Sequence, residues 1–399
     1  MPEDDDLIEQ EKAGAGRDYS GNDLPYLKQV LDSGHLSSIM GGTFVPRFET
    51  AFARAIGARR AVAMANCMCA LHSAVLCAGA GPGTEVICDS EFIFGALAVL
   101  YNSAIPVFAD IDPVTHNLDP DTVEPLVTER TRAIIVTHAW GLPADMDRIL
   151  KIARRHKLFV IEDCAESLFA SYKGRMTGAW GDVGCFSFQA SKQLSTGDGG
   201  MATTSSDEIA AKLGAQAGAP TFLSVAYNLD YNYRMNDLTA AVGLAQLETM
   251  PEFIAGLRRK AALFDRAVAG CPWIKLQRGP DGAEHSFYHW AATLDESAGG
   301  GAPALDEFRA AVKEAGLTSV SIGYTGMPAY KHPVISERRA HAFRAPENNG
   351  HSARYDDGTC PAAERTVPRL ILAYLVGAEE NAKRDADRLH SVVARLGKG

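Results

Sequence analysis

The feature that most constrains this chain is a repeated alternation between residues 60 and 204. Short apolar runs take turns with amphipathic stretches of helical period. "RRAVAMAN" precedes "CALHSAVLCAGA", and "EVICDS" precedes "FGALAVLYNSA". "PVFADI" and "RAIIVTHAWG" follow, then the helical "MDRILKIARRHK" and the strand "LFVIEDCA". "DVGCFSFQ" and "GGMATTSS" read as two further strands. These runs lack strict polar–apolar alternation, as strands covered on both faces do. Repeated strand–helix–strand units predict an α/β fold with a mostly parallel central sheet flanked by helices. In such sheets ligands bind beyond the carboxyl ends of the strands. Polar residues collect at those ends: Asn66, His138, Asp163 and Ser187.

The 399 residues are enough for a large domain and a second, smaller one. The expected division is an N-terminal arm over 1–25, a large domain over 26–250 and a smaller C-terminal α/β domain over 251–399. The stretch "LTAAVGLAQLETMPEFIAGLRRKAALFDRAVAG" predicts a long helix, broken near Pro251, that crosses between the domains. The strand "FYHWAATL" and helices around "LDEFRAAVKEAG" and "AEENAKRDADRLHSVVARL" build the small domain. "RAPENNGHSARYDDG" reads as a polar, mobile loop.

Composition removes several classes of function. The net charge is -10 and no basic run stands out, which argues against a nucleic-acid partner. No apolar run reaches the ~18 residues a membrane span needs. The N-terminus is acidic and lacks an apolar core, so a cytoplasmic location is expected. Eight cysteines sit mostly in apolar runs and read as reduced thiols. Cys67 and Cys69 form C-x-C without a second pair at zinc spacing, so no metal site is expected.

Two residues carry a possible chemistry. Asp163 ends the strand in "VIEDCAES". It reads either as a helix cap or as a carboxylate partner for a cationic cofactor ring. Lys192 follows in "SFQASKQLSTGDGG", either as a solvated charge or as a buried amine able to form a Schiff base. Pyridoxal phosphate needs both: a lysine for its aldehyde and an acid that keeps its ring nitrogen protonated. "ANCMCALHSAV" closes a strand and opens a helix, whose N-terminal amides suit a phosphate.

The stretch "IEDCAESLFASYKGRMTGAWGDVGCFSFQASKQLSTGDGGMATTSSDEIAAKL" resembles the DegT/DnrJ/EryC1/StrS aminotransferases. These are fold-type-I pyridoxal-phosphate enzymes that aminate keto-sugars and keto-cyclitols. The likeness extends through "GPGTEVI", "FADIDPVTHNLDP", "VTHAWGLPADMDRI" and "YNYRMNDLTAAVGLAQLE", and thins in the small domain. The resemblance implies that Lys192 bonds the cofactor and then serves as general base and acid. It assigns Asp163 to the pyridinium nitrogen and Ser187 to the phosphate. Asn232, in "YNYRM", matches an asparagine that reaches the phosphate of a neighbouring subunit, which implies a homodimer with shared active sites.

Three places depart from the family pattern. Cys67-Met68 replaces a small pair at the phosphate-binding turn, so backbone amides remain but a hydroxyl is lost. Glu166 stands where glutamine or histidine more often faces the phenolic oxygen of the cofactor, and a carboxylate there would repel a phenolate unless protonated or paired. The ring-stacking aromatic is either Phe92 or Phe94, while a strict register lands on Ile93. His138, Tyr324 and His332 are candidate substrate contacts.

The leading expectation is a ping-pong transaminase. It would move an amine from glutamate or glutamine to a keto-sugar nucleotide or keto-cyclitol, in natural-product or cell-surface sugar biosynthesis. One alternative is an elimination or aromatising enzyme on the same scaffold, of the amino-hydroxybenzoate-synthase kind. The related dehydratases replace the lysine with histidine, so Lys192 argues against them. A second alternative is a non-catalytic relative that binds a ligand.

Overall fold

The computed structural model describes residues 19, 21–218, 231–299 and 301–397. The first half of the chain forms β1 (Arg60–Met64), β2 (Glu85–Asp89), β3 (Ile105–Ala109), β4 (Thr131–Thr137) and β5 (Phe159–Asp163). The short β6 (Ser171–Tyr172) and β7 (Arg175–Met176) come next, followed by β8 (Val183–Ser187) and β9 (Gly200–Thr204). A seven-stranded sheet runs in the order β1-β9-β8-β5-β4-β2-β3. Pairing is parallel from β8 through β3, and β9 lies antiparallel to both of its neighbours. β2 and β3 are buried at every position, which explains the unbroken apolar run of β3 and the apolar centre of β2 between Glu85 and Asp89.

The parallel strands need crossovers, and helices Cys67–Cys77, Ile93–Tyr101 and Met146–His156 supply them. Asn66 caps the first of these by accepting the Cys69 N–H at 2.9 Å. Asp145 caps the third through the Arg148 N–H, and Lys157 ends it in the left-handed conformation. This order sets the carboxyl ends of β4, β5 and β8 side by side.

The second half adds β10 (Ile274–Leu276), β11 (Ala283–Glu284), β12 (His289–Leu294), β13 (Val320–Ile322) and β14 (Leu370–Tyr374). Four of them make an antiparallel sheet, β10-β12-β14-β13. Helices Leu305–Glu314 and Glu379–Leu396 pack on it through Phe308, Leu389 and Val392. β11 pairs with β6, so a small three-stranded sheet ties this half to the first.

Three details differ from the sequence reading. The expected break near Pro251 is absent: one helix runs from Asp237 to Ala267, and the 250/251 division falls inside it. A proline in a helix interior costs ~3 kcal/mol. Here Leu244, Leu247, Met250, Ile254, Leu257 and Phe264 are all buried along that helix, and their burial outweighs the cost. Second, part of the expected small domain returns to the large sheet: Tyr330, Ile335, Ala342, Tyr355, Cys360 and Val367 join the core around β2 and β3. Third, the polar stretch after Arg344 is anchored. Asn348 is buried, accepts the Gly83 N–H at 2.6 Å, and donates to the carbonyls of Ser103 and Ala342. At the N-terminus, helix Asp23–Ser33 begins within the expected arm. Among the described residues no helix is long and apolar enough to cross a membrane.

Candidate active site

β5 ends in two acids that point to opposite faces, as successive strand residues must. Glu162 turns beneath the sheet, where it accepts the N–H groups of Gly178, Trp180 and Gly181 and meets His138 Nε2 at 3.0 Å. Asp163 turns into a 460 Å³ cavity at the strand ends. Its Oδ1 accepts the Ala165 N–H at 3.0 Å. Burial pushes its carboxyl up to about 7; the charges of Asp89 and Glu166 add to the rise, while Lys192 and the Ala165 N–H oppose it.

Lys192 enters the same cavity from the turn after β8. Its backbone N–H donates to Gln189 O at 2.9 Å, and Ser191 Oγ donates to Gln189 Oε1 at 2.7 Å. The Lys192 side chain is 14% exposed. Its Nζ lies 4.1 Å over the Tyr288 ring and 3.5 Å from Glu166 Oε1. Burial alone would lower its proton affinity, but Glu166, Tyr288 and Asp163 outweigh burial and raise it. Glu166 is itself buried, which raises its carboxyl, and Lys192 pulls it back down.

The opposite wall is the N-terminus of helix Cys67–Cys77. No acceptor among the described residues takes the N–H groups of Cys67 or Met68. The start of β9 presses against this turn: a Cβ on Gly200 would collide with the Asn66 carbonyl carbon, so only glycine fits. Cys67 is buried, and its thiol is raised well above its usual value, first by burial and then by Asp163. Met68 is half-buried against the core of the large sheet, which houses its bulk.

The mouth is aromatic. The Phe92 ring stands 5.0 Å from Trp140 and 5.5 Å from Tyr324. Tyr324 is held well above its ordinary phenol range, chiefly by burial. His289 opens β12 with its ring 5.3 Å from Trp140. Burial, aided by Lys192, pushes its imidazole down to about 3, so it is neutral.

The cavity thus brings together Lys192, Asp163, Glu166, Ser187, Cys67, Met68, Phe92 and Tyr324, with Asn66 and Phe94. Phe92 is buried and Phe94 is 47% exposed, while Ile93 packs into the core instead. Three expected residues fall elsewhere. His138 is fully buried and spent on Glu162 and the Ala144 N–H, so it cannot meet a substrate. His332 sits outside the cavity, at the start of the short helix Pro333–Ser336. Asn232 is exposed and lies outside the cavity of its own chain. Thr137, Gln189, Ser191, Tyr288 and His289 line the cavity and were not foreseen.

Two other groupings invite comparison. His138, Glu162 and Cys164 lie close enough to hold a metal ion. The hydrogen bonds just described already occupy the imidazole and both carboxylate oxygens. A larger groove of 820 Å³ lies along β10. Its acids Asp295 and Glu296 are paired with Lys275 and Arg369, and both are held below the usual carboxylate range. It has no buried base or nucleophile comparable to Lys192.

Comparison with known proteins agrees with this geometry. The model of the DegT/DnrJ/EryC1/StrS aminotransferase family matches residues 18–354. A GDP-perosamine synthase of Caulobacter vibrioides is 42% identical over 62% of this chain and 68% of its own length. An L-glutamine:2-deoxy-scyllo-inosose aminotransferase of Streptoalloteichus tenebrarius is 31% identical over 88% of this chain and 85% of its own. The crystal structure of a 3-amino-5-hydroxybenzoic acid synthase superposes with a TM-score of 0.82 at 26% identity, covering 96% of this chain and 98% of that one.

Proposed function

This chain belongs to the DegT/DnrJ/EryC1/StrS aminotransferase family, and from that premise we propose that its 460 Å³ cavity holds pyridoxal phosphate and aminates a keto-sugar or keto-cyclitol. The observation that carries this reading is the convergence of Lys192, Asp163 and an open helix N-terminus on one cavity. The donor set suits the cofactor. A largely buried lysine side chain suits an aldehyde, a buried acid suits a ring nitrogen, and two backbone amides without an acceptor among the described residues suit a phosphate. When bound, the cofactor supplies an electron sink for the substrate α-carbon.

The chain's own groups do the rest. Lys192 Nζ holds the cofactor and then carries the proton to and from the substrate carbon. Asp163 keeps the ring nitrogen protonated. The amides of Cys67 and Met68, with Ser187 and Gln189, would hold the phosphate and tolerate the loss of a side-chain hydroxyl at position 68. Phe92 and Phe94 stand at the aromatic side of the cavity, and Tyr324 and His289 face the substrate. Asn232 is exposed and lies outside its own cavity, which suits a contact with a second copy and hence a homodimer with shared sites.

The relative from Streptoalloteichus tenebrarius has L-glutamine in its name, which supports glutamine or glutamate as the amine donor. Donor and acceptor would use one site in turn, so the kinetics would be ping-pong. The likeness to 3-amino-5-hydroxybenzoic acid synthase favours one second reading, an aromatising enzyme on the same scaffold.

A half-reaction screen separates the two. Amino donors are added singly to the cofactor-loaded protein and the cofactor absorbance is followed. Glutamine or glutamate should bleach it, and a keto-sugar or keto-cyclitol should restore it. If no donor bleaches the absorbance, the transaminase reading fails.

A further inference from the structure

We infer that Glu166 is the proton partner of Lys192: its Oε1 takes a proton from the Nζ ammonium when the amine attacks a carbonyl, and returns it when the amine is released. The inference rests on the placement of Lys192 proposed above and adds a role for a residue that departs from the family pattern. The step balances. One N–H bond breaks as an O–H bond forms on Oε1. The freed lone pair makes the new C–N bond while the carbonyl π pair moves to its oxygen. The nitrogen passes one proton to that oxygen, and Oε1 gives up its own proton as the oxygen leaves as water.

Glu166 is held for this task. Its Oε2 accepts the Trp140 N–H at 3.0 Å, and its backbone carbonyl accepts Gln193 Nε2 at 2.7 Å. Trp140 makes that bond from a left-handed backbone, φ 62°, which is costly for a bulky residue and is kept where the surroundings impose it. With Oε2 tied, Oε1 faces Lys192 Nζ at 3.5 Å. A small side-chain rotation brings the two into hydrogen-bond contact.

The groups around this pair act on both of its members. Acids face this pair from several elements: Asp163 at the end of β5, Asp89 at the end of β2 and Glu91 in the turn after it. Tyr324, Tyr288, Cys67 and the neutral His289 complete the shell. Glu91 is almost fully buried, with the Trp140 indole beside it. Burial, with the charge of Asp89, raises the Glu166 carboxyl, so Oε1 accepts a proton more readily than an exposed carboxylate does.

The experiment measures how fast the cofactor-free protein captures pyridoxal phosphate, by absorbance between pH 6 and 9. Wild type, Glu166→Gln and Lys192→Ala are compared. If Glu166 only holds Lys192 as a cation, its neutralisation frees the amine and capture at pH 7 accelerates. If Glu166 takes the proton, capture by Glu166→Gln slows at least tenfold at pH 7 and recovers toward pH 9. Glu166→Asp keeps the acid but withdraws it by one methylene, and should give an intermediate rate. Should the glutamine variant fail to fold, the aspartate variant decides alone: slower supports the inference, and unchanged or faster overturns it. Capture lost in Lys192→Ala but unchanged or faster in Glu166→Gln overturns this inference alone. Capture that persists in Lys192→Ala overturns the reading it rests on.

Discussion

His138 Nε2 meets Glu162 Oε2 at 3.0 Å, and both side chains are fully buried. The Ala144 N–H donates to His138 Nδ1, which leaves Nε2 as the protonated nitrogen and the donor to Glu162. Glu162 also receives three backbone N–H groups from residues 178–181. The pair therefore fastens β4, β5 and the turn before β8 under the cavity, without entering it. His138→Ala should lower the unfolding free energy by about 2–4 kcal/mol, the cost of stranding one side of a buried polar pair. Urea titration reads the loss. The rate per folded molecule should stay near wild type, in contrast to a substrate contact.

Asp163 connects activity to the pH dependence of folding. Burial raises its carboxyl to about 7 in the folded chain without cofactor, against about 3.9 when unfolded. A raised acid stabilises the fold in full below the unfolded value, and that contribution is lost as pH rises through about 7. The cofactor-free wild type should therefore weaken between pH 5 and 8. Asp163→Asn should remove its share of the dependence, leaving that of other buried acids such as Glu49, also raised to about 7, and be more stable at pH 8 by about 2–4 kcal/mol, with the gap shrinking toward pH 5. The same variant should bind pyridoxal phosphate poorly. Melting temperatures at the two pH values, with and without cofactor, check both halves.

Asn348 tests the anchoring of the polar stretch after Arg344. Its amide makes three hydrogen bonds, to the Gly83 N–H and to two carbonyls on other segments. Asn348→Ala should cost about 2–3 kcal/mol, because it strands buried backbone groups. Limited proteolysis near residue 350 should accelerate in the variant.

What could be read from the sequence follows from how local each signal is. The strand runs at 85–89, 105–109 and 159–163 announce themselves because only Phe159 among them is not fully buried. Asp163 was legible because the end of a parallel strand places it at the ligand edge. His138 ends a strand too, but its side chain turns down to Glu162, and that choice depends on a turn some forty residues further along. Pro251 read as a break because its local cost is visible, while the flanking packing that overcomes it is not. Tyr288 and His289 reach the cavity from a different sheet, so no nearby spacing marks them. The one available hint was two polar-tipped rings opening the apolar strand "FYHWAATL".

The central claim is that Lys192 is the residue that bonds the cofactor. The direct measurement is to load the protein with pyridoxal phosphate, reduce with borohydride, digest, and map the label by mass spectrometry. The label should fall on the peptide containing Lys192 and be absent from Lys192→Ala. Activity should fall with it by at least 10²-fold, the scale of removing a general acid–base. A label on any other lysine, or a Lys192→Ala protein that still aminates, would contradict the account.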